Sequence, residues 1–204
     1  MSLALQVRQA GANVKLHLGC GTNRLAGWVN TDLMPAAPDI DFLDCSRRMP
    51  FHDNSLAAVF CEHLIEHIEK PKGVAMLREV FRVLRPGGLF RVVTPSLENF
   101  ARMALEPEWS DARRYLAWFR EAHRRPDAEI ADMVNMVFYG YGHRHVYGEA
   151  ELAALLTSVG FTDLRKMRAS TYRAPLFDGV DGHGKVVGDD VNGIEAFAIE
   201  ARKS

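Results

Sequence analysis

Three cysteines in 204 residues, none in CxxC spacing, give no basis for a disulfide framework or a cysteine metal centre. Cys20, Cys45 and Cys61 each lie in or just after a strand-like run, which predicts reduced, buried thiols. Long apolar runs are also lacking. Every such stretch breaks well before the roughly 18 residues that a membrane span needs, and the start, MSLALQVRQAGANVK, has no cationic segment followed by an apolar one. The reading is of a cytoplasmic protein with no membrane span. Charge of one sign is missing as well: 25 Lys+Arg against 26 Asp+Glu leave a formal net charge of −1, so no cationic footprint for nucleic acid is present.

What remains is an ordinary globular composition, 48% hydrophobic and 25% charged, which excludes disorder and collagen-like structure. A chain of this length hides roughly 70% of its unfolded surface, enough for one core without staples. A single domain over residues 1–204 is expected.

From Lys15 the sequence alternates strand-like runs with turns and helices. KLHLG (15–19), WVNTD (28–32) and DIDFLD (39–44) end in small or acidic residues, and a fourth strand is predicted over 57–61. KGVAMLREVFRVLR (72–85) puts Val74, Leu77, Val80, Phe81 and Leu84 on one helical face, and Pro86-Gly87-Gly88 stops it. LFRVVTP (89–95) reads as a buried strand. Residues 96–146 carry no short alternating run and fit a helical insertion or lid. EAELAALLTSVG (149–160) is a helix closed by Gly160, and FTDLRKM and IEAFAIEAR (194–201) are two closing strands separated by a Gly- and Asp-rich loop from Ala174 to Asn192. The fold class is α/β, a doubly wound, mostly parallel sheet with an antiparallel C-terminal strand and a helical insertion.

Such sheets bind ligands at the carboxyl ends of their strands. Gly19 and Gly21, one residue apart after the first strand, let a ligand approach the backbone without meeting a Cβ. Asp32, ending the second strand, can accept from a vicinal ribose diol, and Asp44, ending the third, from an adenine amino group. Either carboxylate alone is more often a solvated turn residue or an Asx cap. Together beside GCG they favour an adenosine-like ligand. A dinucleotide fingerprint is disfavoured, because Arg24 stands where it needs glycine and Asp32 arrives too early.

These segments, KLHLGCGTNRLAGWVNTDL, LDCSRRMPFHDNSLAAVFCEHLIEHI, REVFRVLRPGGLFRVVTP and EAELAALLTSVGF, resemble the successive motifs of class I S-adenosylmethionine-dependent methyltransferases, in the type 11 and ubiquinone-methyltransferase-like group. The resemblance implies a Rossmann-like methyltransferase fold, S-adenosylmethionine as cofactor and a small-molecule substrate such as a sugar, lipid precursor or quinone-like ring. It assigns the cofactor to Gly19, Cys20, Gly21, Asp32, Leu33, Asp44, Cys45, Glu62 and His63. Two departures stand out. Only Gly19 to Gly27 separates the first two strands, too short for the usual crossover helix, and Ala57 occupies a place where the family often has Asp. The short crossover also leaves open a catalytically inactive S-adenosylmethionine-binding module that acts through a protein partner.

Methyl transfer needs alignment of the acceptor, exclusion of water and, for a hydroxyl acceptor, removal of a proton. Among eight His, the candidate catalytic residues are His63, His67 and His143. His67 reads equally as a structural hydrogen-bonding residue. His143 and His145 have strand spacing for a metal pair but no acidic partner nearby, so no metal is expected. Tyr139, Tyr141 and Tyr147 suit either a substrate-facing patch or core packing. Arg113, Arg114, Arg120, Arg124 and Arg125 read as a solvated helix face.

Overall fold

The computed structural model describes residues 13–204; most of the segment on which the absence of a leader was read lies outside them. Seven strands form one sheet: β1 (Lys15–Leu18), β2 (Val29–Asp32), β3 (Asp41–Phe42), β4 (Leu56–Glu62), β5 (Leu84–Pro95), β6 (Phe161–Arg168) and β7 (Ala196–Lys203), in the order β3-β2-β1-β4-β5-β7-β6. Strands β1 to β5 pair in parallel. β7 runs antiparallel to both β5 and β6, so the expected mostly parallel sheet with a reversed closing strand stands. The chain leaves β1 toward β2 on one side and returns to β4 on the other. That reversal opens a crevice at the carboxyl ends of β1 and β4.

Period-two alternation along β4 divides the core. Val59 and Cys61 face one layer with Leu77 and Val80 of α1 (Lys70–Val83) and Leu152 and Leu156 of α5 (Glu149–Val159), while Ala58 and Phe60 face the other. Each large side chain fully removed from water here contributes roughly 1.5–3 kcal/mol. The second layer is built differently from the expected row of helices. Residues 19–28 make only turns, because they are too few for a crossover helix. Trp28 and Phe177, the latter from a 3₁₀ turn at Pro175–Phe177, cover that face instead.

The α1 helix ends at Val83, two residues before the predicted Arg85, and β5 begins at Leu84 rather than Leu89, taking in Pro86-Gly87-Gly88, where the positive φ of Gly87 makes a turn within it. Residues 96–146 are helical as expected: α2 (Leu97–Leu105), α3 (Ser110–Ala122) and α4 (Ile130–Asn135), the last running into a π-turn at Met136–Gly140. The Ser96 hydroxyl accepts from the Asn99 N–H at 3.2 Å and caps α2. These helices share an apolar cluster of Phe100, Tyr115, Phe119 and Met133.

The stretch 174–192 is not a plain loop. It contains α6 (Gly184–Val187) and the start of α7 (Asp189–Glu195), whose Val191 and Ile194 pack into the insertion cluster. That tertiary contact stabilises a helix which its Gly and Asp content conceals. The closing strand accordingly begins at Ala196 rather than Ile194. Ahead of α6, Asp181 is pinned by the fully buried Arg91, which donates to it at 2.8 and 2.5 Å and to Glu200 at 2.9 Å. The three cysteines are free and buried, as predicted. Among the described residues, no helix is long and apolar enough to cross a membrane.

Candidate active site

Three openings meet at the crevice, and His63 lines all of them. The first, of about 530 Å³, is bordered by Gly19, Asp32, Leu33, Asp44, Cys45, His63 and His67. The second, about 400 Å³, runs over Gly19 to Asn23 past Glu62 and His183. The third, about 360 Å³, is a chamber beneath the insertion, walled by Trp118, Tyr141, His143 and Glu195. Every predicted cofactor residue therefore borders the first or second opening.

Asp32 closes β2 with its carboxylate directed into the first opening. One oxygen accepts the Gly21 N–H at 2.8 Å and the other the Met34 N–H at 2.8 Å. Each oxygen keeps a lone pair for a further donor. The geometry at the glycines divides. Gly21 has φ +52 and nothing within 4 Å of an added Cβ, so bare main chain faces the opening there; at Gly19, φ +60, the Leu64 side chain already fills the Cβ position at 2.7 Å. The expected open space thus exists above Gly21 and not above Gly19. Asp44 accepts from the Ser46 hydroxyl at 2.6 Å and pairs with Arg47 at 3.0 Å. The Ser46 hydrogen bond, ahead of the Arg47 charge, holds its carboxyl below the usual value.

The carboxyl end of β4 carries the densest chemistry. Burial pushes Glu62 above its ordinary carboxyl value even though its Oε2 accepts the N–H groups of Gly182 and His183 at 2.7 and 3.1 Å. Its Oε1 is buried with no partner. His63 sits at φ +47, a left-handed conformation uncommon outside glycine. Its Nδ1 lies 3.1 Å from Glu66 Oε1. Burial pushes the imidazolium down, but the hydrogen bond and charge of Glu66, with Glu195 and Glu62 behind it, outweigh this and hold the group up at about 9. Glu66 also accepts from Thr94 at 3.0 Å. His67 closes a 3₁₀ turn, Ile65–His67, and its ring meets that of His143 at 4.7 Å. Burial lowers the His143 pKa.

Other predicted residues are sorted differently. Tyr147 is fully buried core, Tyr141 lines the chamber and Tyr139 is exposed. His145 pairs with Glu151 at 3.1 Å, not with His143. Arg113 and Arg114 are exposed, as read, while Arg120 is part-buried and donates to the Ala128 carbonyl. Sequence reasoning missed His183, Glu195, Trp118 and His123, all of which line the chamber. His183 lay in a stretch read as loop, and Glu195 was assigned to a strand. The concentration of Gly and Asp immediately before the last strand was the available signal, since loops carry sites.

Residues 16–92 match a family model described as a methyltransferase domain. Over that segment the chain is similar to the type 11 methyltransferase domain. The fold of this chain is similar to that of an S-adenosylmethionine-dependent methyltransferase of Mesorhizobium loti, with 15% identity and TM-score 0.56 over 98% of this chain and 96% of that one. It is similar also to a SAM-dependent methyltransferase of Thermotoga maritima, described as a possible histamine N-methyltransferase, with 15% identity and TM-score 0.55 over 98% and 88%. A third, phosphoethanolamine N-methyltransferase 2 of Haemonchus contortus, solved with phosphomonomethylethanolamine and S-adenosylhomocysteine, gives 12% and 0.51 over 98% of this chain and 52% of that chain. A search of curated proteins finds no significant match. The mostly parallel seven-stranded sheet is the Rossmann-like methyltransferase fold.

Proposed function

We propose that the protein transfers a methyl group from S-adenosylmethionine to a small-molecule acceptor held in the chamber under the insertion. The observation that carries this reading is the continuity of the openings: His63 borders all three, His67 also joins the Asp32 cleft to the aromatic chamber, and His183 joins the Gly21 cleft to it.

The residues fit the cofactor chemically. Asp32 offers two oxygens to a ribose diol; the unpartnered Glu62 Oε1, beside the open backbone of Gly21, suits the ammonium of an amino-acid tail. Asp44, Leu33 and Cys45 border the end where an adenine would lie. When bound, S-adenosylmethionine supplies an electrophilic methyl on its sulfonium. The chain's own work is to orient and to dehydrate. Trp118, Tyr141 and Val137 wall the chamber and exclude water, while His63, held cationic by Glu66, is a poor proton acceptor near neutral pH. His143, kept neutral by burial and with its Nδ1 buried and unpartnered, is the base available to a hydroxyl acceptor. His67 positions it by ring contact.

Labelled methyl transfer from S-adenosylmethionine to sugar, lipid-precursor and quinol acceptors tests the reading. Incorporation that drops on His143→Ala with cofactor affinity unchanged is expected. Tight cofactor binding with no transfer to any acceptor would instead favour a binding module.

A further inference from the structure

Two histidines and a carboxylate from separate parts of the chain meet on the wall between the cofactor openings and the chamber. His63 follows β4, His183 precedes α6, and Glu195 ends α7. One donor atom from each lies within 4.8 Å of the others. Bonds of about 2.0–2.2 Å to a shared ion in tetrahedral geometry place donor atoms roughly 3.4 Å apart, so Glu195 Oε1 and His183 Nε2, 2.6 Å apart, would separate to admit it.

Two of the three donors have an orienting partner behind them. His63 Nδ1 is engaged by Glu66, so the ring atom left for a ligand is Nε2, which is buried and has no partner and from which an ion would displace the proton that the cationic ring carries. Glu195, 6% exposed, receives the Tyr115 hydroxyl on Oε2 at 2.5 Å, leaving Oε1 turned toward His183 Nε2 at 2.6 Å. A carboxylate behind a ligating imidazole and a hydrogen bond on the far oxygen of a ligating carboxylate are the outer contacts that metal sites use to set tautomer and direction. The strained backbone of His63 serves the same aim.

Charge points the same way. Glu66 and Glu195 are buried and Glu62 is half-buried around His63, and among the described residues no Lys or Arg side chain bonds any of them. A dication would offset that excess. A second cluster, Glu66, His67 and His143, is also compact, but both Glu66 oxygens are already engaged by His63 and Thr94.

We propose that His63, His183 and Glu195 bind one divalent transition metal of the zinc class, with a remaining coordination position open to the chamber. Two nitrogens and one carboxylate oxygen form the donor set of an open site rather than a closed structural one. Resting on the methyl-transfer reading, the open position takes an oxygen or nitrogen of the acceptor and fixes it beside the cofactor openings. Spacing along the chain gave no hint of this site and led to the expectation of none, because the donors converge only through the fold.

The test uses the full chain, stripped with a chelator and titrated with Zn²⁺ by calorimetry and with Co²⁺ by visible absorption. One ion per chain and a four- or five-coordinate cobalt spectrum are expected. Glu66→Gln, which removes no ligand, should weaken binding by roughly 10- to 100-fold, and His183→Ala by more. His183→Cys should retain the ion and add a thiolate-to-cobalt band, so the proposal stays decidable even if His183→Ala does not fold. His145→Ala should change nothing. No ion bound by folded chain, binding that survives His183→Ala and vanishes with His143→Ala, or no new band from His183→Cys would overturn it. S-adenosylhomocysteine titrated into the same samples separates the two readings: ion without nucleoside defeats methyl transfer alone, and nucleoside without ion defeats the metal site alone.

Discussion

Replacing Arg91 with methionine should unfold the protein far more readily than its single position suggests. Arg91 has no exposure and donates to Asp181 twice and to Glu200 once, with the Tyr172 ring 4.6 Å from its guanidinium. Methionine fills much of the volume but leaves two buried carboxylates facing each other without a cation. Breaking a buried pair from one side costs about 3–5 kcal/mol, and at about 2–4 °C per kcal/mol for a domain of this size the melting temperature should fall by about 6–20 °C. Neither carboxylate can simply leave, because Asp181 also accepts the Ser170 N–H and Glu200 those of Arg173 and Ala174. Adding Asp181→Asn and Glu200→Gln to Arg91→Met keeps acceptors for these donors while removing the charge, and should recover part of the loss. Because Asp181 precedes the Gly182 and His183 N–H groups that cap Glu62, Arg91→Met should also weaken nucleoside binding. Urea unfolding monitored by circular dichroism measures the effect. A loss under about 1 kcal/mol, with the parent slope retained, would refute the argument that this triad is an integral buried network.

Two further outcomes follow from the same geometry. His17 is 1% exposed, with its ring 4.8 Å from Phe60 and Nδ1 3.3 Å from Asn30; burial lowers its pKa from 6.5 to about 4. The fold therefore holds the neutral imidazole. The unfolded chain takes up the proton first, so stability is full above about pH 6.5 and falls toward pH 4 by up to about 3 kcal/mol; unfolding series at both pH values should show a flatter profile for His17→Gln, and an unchanged one would sink the assignment. Glu62→Gln keeps the caps from Gly182 and His183 but removes the charge on the free oxygen, so affinity for S-adenosylhomocysteine in equilibrium dialysis should drop by about tenfold to a hundredfold, whereas unaltered affinity would exclude Glu62 from the amino-acid end.

Much of this molecule is visible in its sequence. Period-two runs and acidic strand ends located β1 to β5, because these are local signals that the surroundings do not override, whereas Pro86-Gly87-Gly88, read as the stop of α1, lies inside β5 and the helix ends earlier, at Val83. Asp32 and Asp44 could be placed at the crevice because strand order follows from the alternation of elements. The failures share a cause. α7 depends on Val191 and Ile194 reaching the insertion, Gly19 is covered by Leu64, and the acidic partners of the histidines, Glu66 and Glu195, are brought to them by packing. Contacts between distant segments leave no periodicity to detect. The covering of one sheet face by Trp28 and Phe177 was half legible: the short crossover predicted a missing helix, but nothing local named its replacement.

The central claim is that a nucleoside sulfonium lies over the tips of β1, β2 and β4 with its sugar on Asp32. Calorimetric titration of the full chain with S-adenosylhomocysteine, alongside Asp32→Ala, tests it most directly. One site per chain is predicted, with Asp32→Ala weaker by about 1.5–3 kcal/mol for each charged hydrogen bond lost. No binding by folded chain, or equal affinity in the variant, would contradict it.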